Sequence, residues 1–200
     1  MHIASQDVPF AIRDGGLAQP RTWWFTGLPG AGKSTLGAAL AAALRAAGQP
    51  ACVVDGDVLR GGLCGGLGFS PADRAENVRR AAEVARLVNL SGIHAVVCLI
   101  SPYIKDREGA RRILGARAFI EVHVATPLKV CMQRDPKGLY AQARAGQVAN
   151  MTGISADYEE PLEPALYIDT SRTGVAEALT QLLQFADPHS LSPALAGSLS

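Results

Sequence analysis

Five short apolar runs punctuate the chain, each rich in β-branched or aromatic residues and each ending at a turn or polar residue. They are RTWWFTGL (21–28), PACVVDGD (50–57), IHAVVCLIS (93–101), AFIEVHVAT (118–126) and ALYIDTS (165–171). Runs of this length bounded by breakers predict buried strands. Helical patterns over 33–47, 71–90, 103–114, 127–134 and 175–185 separate them. Strands alternating with helices predict an α/β fold, a five-stranded, mostly parallel sheet with helices on both faces. Ligands of such sheets bind at the carboxyl ends of the strands. The segments to examine are therefore GLPGAGKST, DGDVLRGG, SPYIKDR and TPLKV, which follow the first four strands. One stretch, DPKGLYAQARAGQVANMTGI (135–154), breaks the alternation. It carries Gly138, Gly146 and Gly153, the basic Lys137 and Arg144, and too few apolar residues for a core element.

A chain of 200 residues suits one domain, assigned to 21–187, after an N-terminal extension (1–20) and before a Ser/Pro/Ala/Gly-rich flexible tail (188–200). The formal charge of +1 offers no overall attraction for nucleic acid or an anionic membrane. No apolar run reaches the ~18 residues of a membrane span, and 1–20 lacks the pattern of a signal peptide, so a cytoplasmic location is expected. Cys52, Cys64, Cys98 and Cys131 form no CxxC pair and no zinc spacing, which predicts reduced thiols. Cys52 and Cys98 read as small buried hydrophobes. Cys64, in a Gly-rich loop, leaves a reactive role open.

Gly27, Leu28, Pro29, Gly30, Ala31, Gly32, Lys33 and Ser34 fit G-x-x-x-x-G-K-[ST] between a predicted strand and helix. Glycines let backbone N–H groups converge on a phosphate, and the helix N-terminus adds partial positive charge. Lys33 would reach the β- and γ-phosphates of a nucleoside triphosphate, and Ser34 would hold Mg²⁺. The residues do not fit G-x-G-x-x-G. Motors, switches and small-molecule kinases share this cradle, so it does not settle the reaction.

Asp55 and Asp57 lie at the end of the second strand, where they could orient Mg²⁺ waters or accept a proton from an attacking hydroxyl, or simply form a solvated Asp-Gly turn. Arg60, Phe69, Arg74 and Asn77 follow. Arg74 and Asn77, three apart, share a face of the 71–90 helix. Arginine offers paired donors to an anion and Phe69 a face to a base. A solvated helix face is the competing reading for Arg74, Arg79 and Arg80.

These residues resemble the adenylylsulfate kinase family of the P-loop kinase superfamily, in six ordered blocks: GLPGAGKST, DGD, LGFSPADRAENVRR, ISPYIKDR, FIEVHVATPLKVC and RDPKGLYAQARAG. The resemblance implies a P-loop NTPase fold with a mobile lid. It implies ATP-dependent phosphorylation, with Mg²⁺, of the 3′-hydroxyl of adenosine 5′-phosphosulfate (APS) in sulfate activation, usually by a homodimer, and it admits sulfate adenylyltransferase as a partner. It places Asp57 nearest the attacking hydroxyl and on the metal with Ser34, and Asp55 in support of the metal shell on the substrate side. The cradle with Thr35 and Arg134 would bind ATP. Arg60, Arg74 and Asn77 would bind the phosphosulfate and ribose side, Phe69 would stack on the acceptor adenine, and Ile100 and Ser101 would contact the acceptor. Lys137, Leu139 and Met151 would join them from a lid spanning 135–154. Lids of this kind close over both nucleotides, which accounts for bending glycines, added positive charge and the need to exclude water.

The chain departs from the family pattern at Gln142, Ala149 and Met151 in the lid, where a lysine, a basic residue and a phenylalanine are usual, and at Val58 in place of an asparagine. Met151 removes one aromatic face of the adenine site. Ser101, where the family has been assigned a phosphoserine, could carry phosphoryl covalently, bind acceptor through its hydroxyl, or cap the turn before Pro102. A P-loop kinase for another small hydroxyl compound and a non-catalytic nucleotide-binding accessory subunit are the competing functions.

Overall fold

The computed structural model describes residues 19–147 and 150–186. Most of the N-terminal extension, the 188–200 tail and Ala149 of the lid lie outside the described residues. Five strands, β1 (Thr22–Thr26), β2 (Ala51–Asp55), β3 (His94–Cys98), β4 (Phe119–Val124) and β5 (Leu166–Ile168), form one sheet in the order β2-β3-β1-β4-β5. Every pairing is parallel, so the sheet is wholly rather than mostly parallel.

Period-two alternation explains how the strands bury both faces. On one side Trp23 and Phe25 of β1, Val96 and Cys98 of β3, and Ile120, Val122 and Val124 of β4 pack with helix α1 (Lys33–Ala46) and the C-terminal helix (Val175–Ala186). On the other, Trp24, Ala95, Val97 and Phe119 pack with helix α3 (Pro71–Leu90), whose Val78, Ala81, Ala82 and Ala85 are buried, and with Ala110 of α4 (Ile104–Leu114). Helix α3 starts at Ser70, whose hydroxyl accepts the Asp73 N–H at 3.2 Å while Pro71 occupies the first turn, where its missing N–H is harmless.

Two short helices lie where none was expected. α2 (Gly56–Gly61) begins directly at the end of β2, with the Asp55 carboxylate accepting Asp57 N–H at 2.9 Å as its cap, so the Asp-Gly pair opens a helix instead of a solvated turn. Beyond α5 (Leu128–Arg134), α6 (Leu139–Arg144) forms inside the stretch expected to be a lid. That stretch also contributes core, contrary to its apolar count: Tyr140 is 1% exposed and Met151 5%, both packed in the cluster under β1 and β4. Tyr140 can be buried because its hydroxyl donates to the Pro29 carbonyl at 3.0 Å.

Candidate active site

The turn after β1 is built from backbone that only glycine tolerates. Gly27 has φ 150, and a Cβ there would lie 2.4 Å from the Val124 carbonyl oxygen, so β4 passes too close for any side chain. Gly32, at φ 105, leads directly into α1. The turn is buttressed from across the sheet. The hydroxyls of Thr126 and Thr170 donate to the Ala31 carbonyl at 2.9 and 2.8 Å, and Arg134 donates to the Thr170 hydroxyl and carbonyl at 2.7 and 2.9 Å.

Lys33 is buried and donates to the Gly27 and Leu28 carbonyls at 2.9 and 2.8 Å. Burial pushes its ammonium down from 10.5 to about 8, against a smaller upward pull from neighbours that include Asp55. Ser34 donates to Asp55 Oδ2 at 2.7 Å, joining the cradle to the end of β2. Asp57, expected from the sequence beside Ser34 at a metal, ion-pairs with Lys137 across the cleft.

A cavity of about 730 Å³ runs along the carboxyl ends of β1, β2 and β3. It brings together Pro29, Gly30, Gly32, Lys33, Ser34, Thr35 and Arg134 with Asp55, Asp57, Arg60, Phe69, Arg74, Asn77, Ile100, Ser101, Lys137, Leu139 and Met151. Three cradle residues stay out of the lining: Gly27, Leu28 and Ala31. Ala31 is fully buried, Leu28 packs on the core, and Gly27 offers its carbonyl to Lys33.

The wall carrying Arg60, Phe69, Arg74 and Asn77 is equally well defined. Arg60 lies 4.3 Å from the centre of the Phe69 ring and Arg74 5.5 Å, which holds the half-exposed ring by its face. Arg74 is buried, donating to the Phe69 carbonyl at 3.1 Å and the Asn150 carbonyl at 2.6 Å. Arg79 is solvated and paired with Glu76, so the helix face splits between site and solvent. Asn77 Oδ1 and Thr152 Oγ1 are buried without a hydrogen-bond partner, and both residues line the cavity. Unpaired buried polar atoms at a cavity wall are the mark of a site built for a polar ligand.

Sequence reasoning missed Thr152, Thr170, Trp24 and Arg107. Thr170 lies at the exit of the fifth strand, where the strand-end rule would have found it. Trp24 and Arg107 lie beneath the cavity and hydrogen-bond partners that include residues distant in sequence, and no local pattern signals that.

Comparison with known proteins agrees with this geometry. The adenylylsulphate kinase family model matches residues 19–169. The chain belongs to the adenylylsulphate kinase family. A Shewanella sp. (strain W3-18-1) adenylyl-sulfate kinase is 51% identical over 166 residues, covering 83% of this chain and 81% of the relative. The Mycobacterium tuberculosis APS kinase, solved in complex with AMPPNP and APS, superposes with a TM-score of 0.80 at 43% identity, covering 84% of this chain and 98% of that one. The hexameric APS kinase from Thiobacillus denitrificans gives 0.65 at 35%, covering 85% of this chain and 29% of that longer one.

The cysteines of this family member are structural. Cys64, Cys98 and Cys131 are buried and Cys52 is partly so. Burial, with a contribution from Asp55, pushes the Cys98 thiol up to about 12. Cys64 is fully buried, against a reactive role in its Gly-rich loop. Native protein treated with iodoacetamide at neutral pH is expected to be alkylated at Cys52 alone, as read by intact mass, and at all four cysteines after denaturation.

Proposed function

We propose that the cavity is the site at which this adenylylsulphate kinase family member transfers the γ-phosphoryl of ATP to the 3′-hydroxyl of APS, giving 3′-phosphoadenosine 5′-phosphosulfate. The observation that carries this reading is the joining, in one cavity, of a phosphate cradle with an Arg60–Phe69–Arg74–Asn77 wall, and of Asp57 with both. The cradle and Arg134 receive ATP. Phe69 offers its exposed ring to the acceptor base, Arg60 and Arg74 supply positive charge for the phosphosulfate, and Asn77 Oδ1 accepts from the ribose or base. Asp57 is the carboxylate placed to take the proton of the attacking hydroxyl.

The residues present fit Mg²⁺. Ser34, Asp55 and Asp57 are all hard oxygen donors, and no cluster of three or more His, Cys, Asp or Glu among the described residues could cage a metal alone. Mg²⁺ suits such a site because it keeps waters and takes phosphate oxygens as further ligands. When bound, it would neutralise charge on the transferring phosphoryl. The Ser34–Asp55 pair is the better holder, leaving Asp57 for the hydroxyl.

The lid role of 135–154 belongs to the same proposal. Lys137 already reaches across to Asp57, and Gly138 and Gly146 have φ 65 and 72, backbone that lets the segment turn sharply. The hexameric relative supports self-association in general; a homodimer, a sulfate adenylyltransferase partner and a cytoplasmic setting rest on the family resemblance. No helix among the described residues is long and apolar enough to cross a membrane.

Purified protein with Mg-ATP and a panel of hydroxyl acceptors tests the function through ADP release. APS-dependent ADP supports it. Release that needs a different acceptor overturns the acceptor assignment, and nucleotide binding without ADP points to an accessory subunit. Met151, which lines the cavity while packing on the core, gives a finer test. Met151→Phe is expected to lower the KM for APS by up to about tenfold and to change that for ATP less, because stacking a base on an aromatic ring is worth ~1–3 kcal/mol. An unchanged KM for APS would make Met151 a core residue only.

A further inference from the structure

Ser101 is strained where it lines the cavity. Its φ of 37 lies in the left-handed region, and it is only 3% exposed. Such backbone persists where the surroundings over-determine it. Two buried side chains that do not themselves line the cavity supply the constraint. Trp24 donates its indole Nε1–H to Ser101 Oγ at 3.1 Å. Arg107 donates from Nη1 to the Ser101 carbonyl, from Nε to Glu121 Oε1 and from Nη2 to the Glu159 carbonyl, each at 2.8 Å. The Thr26 hydroxyl lies farther from the Ser101 carbonyl, at 3.3 Å, and is directed better at the Ile100 carbonyl, at 2.8 Å.

A hydroxyl has one proton and two lone pairs. With the indole N–H on its oxygen, Ser101 already accepts one hydrogen bond from the protein, and its proton and second lone pair remain for a ligand. Arg107 acts on the other end of the residue. Its planar fork ties the turn after β3 to β4 and to the segment following 135–154, and each of its three nitrogens donates. A buried ion pair such as Arg107–Glu121 is a weak source of stability because desolvation offsets the attraction, whereas its fixed geometry is well suited to holding position.

We propose that Trp24 and Arg107 are positioning residues for the phosphoryl transfer: Trp24, by occupying one lone pair, orients the Ser101 hydroxyl toward the acceptor nucleotide, and Arg107 locks the strained backbone that presents it. This rests on the reading of the cavity as the APS site. The test is a double-mutant cycle on APS affinity, measured by calorimetry alongside the KM values for APS and ATP. Trp24→Phe and Arg107→Lys are each expected to weaken APS about fivefold, the worth of one hydrogen bond, with the KM for ATP unchanged. In a Ser101→Ala background neither is expected to weaken it further, because the hydroxyl they orient is gone. A merely structural role would give losses that multiply with Ser101→Ala or that fall equally on ATP, and either result overturns the proposal. So does full APS affinity in both single variants. If Trp24→Phe fails to fold, the Arg107→Lys arm decides. Wild-type protein that binds no APS overturns the acceptor reading itself, an outcome distinct from APS binding that is indifferent to Trp24 and Arg107.

Discussion

Lys33→Ala is expected to lower APS-dependent ADP release by about three orders of magnitude while thermal unfolding stays near that of the wild type. The kinetic loss follows from what a cradle lysine does: it meets charge on the transferring phosphoryl from a fixed, water-poor position, where a single pre-organised donor is worth ~10²–10³ in turnover and a full charge more. The stability argument runs through the lysine's own proton. Folding lowers its pKa from 10.5 to about 8, chiefly by desolvation, so the unfolded chain binds that proton more tightly than the folded one. Below about pH 8 the buried ammonium therefore costs stability, and the cost is relieved as pH climbs from about 8 toward 10.5. At neutral pH the substitution removes that cost together with the hydrogen bonds to the Gly27 and Leu28 carbonyls, and the two changes oppose each other. Near wild-type ADP release from Lys33→Ala would refute the cradle assignment.

The sheet and the cradle were legible because each depends on a local pattern. Alternation places Trp23 and Phe25 on one face and Trp24 on the other, and the spacing from Gly27 to Ser34 specifies a turn that β4 then forces to be glycine at its first position. The common face of Arg74 and Asn77 was legible for a similar reason, since helical spacing puts them on one side of α3, where both line the cavity. The lid was misjudged as lacking core because its burial is contributed by two isolated residues. Tyr140 and Met151 show no periodicity, and their burial depends on Pro29 and on the packing beneath β1 and β4. The separate contacts of the two carboxylates were equally hard to foresee. Asp55 and Asp57 are two residues apart, and only the start of α2 at Gly56 decides that Asp55 faces Ser34 while Asp57 turns to Lys137.

Asp57→Ala is expected to lose far more turnover than Ser101→Ala. Asp57 stands at the mouth of α2, where its carboxylate reaches the cleft and pairs with Lys137, so under the proposed reading its removal takes away the oxygen base assigned to the attacking hydroxyl along with the contact to Lys137. General-base assistance is worth ~10²–10⁴, and a loss in that range in kcat is the expected reading. Ser101→Ala is expected to act mainly on the KM for APS and to leave measurable kinase activity. The contrast bears on mechanism because Ser101 could also be a covalent carrier. A carrier needs its own base and two successive alignments, whereas ATP and APS held together in one cavity need one. The hydroxyl of Ser101 is held by the Trp24 indole, which donates a hydrogen bond to it and takes no proton from it, so that contact does not activate it as a nucleophile. Turnover of ATP bearing a chiral γ-phosphoryl decides between the routes. Inversion at phosphorus is expected for one direct displacement, and net retention would overturn it in favour of a phosphoserine at Ser101.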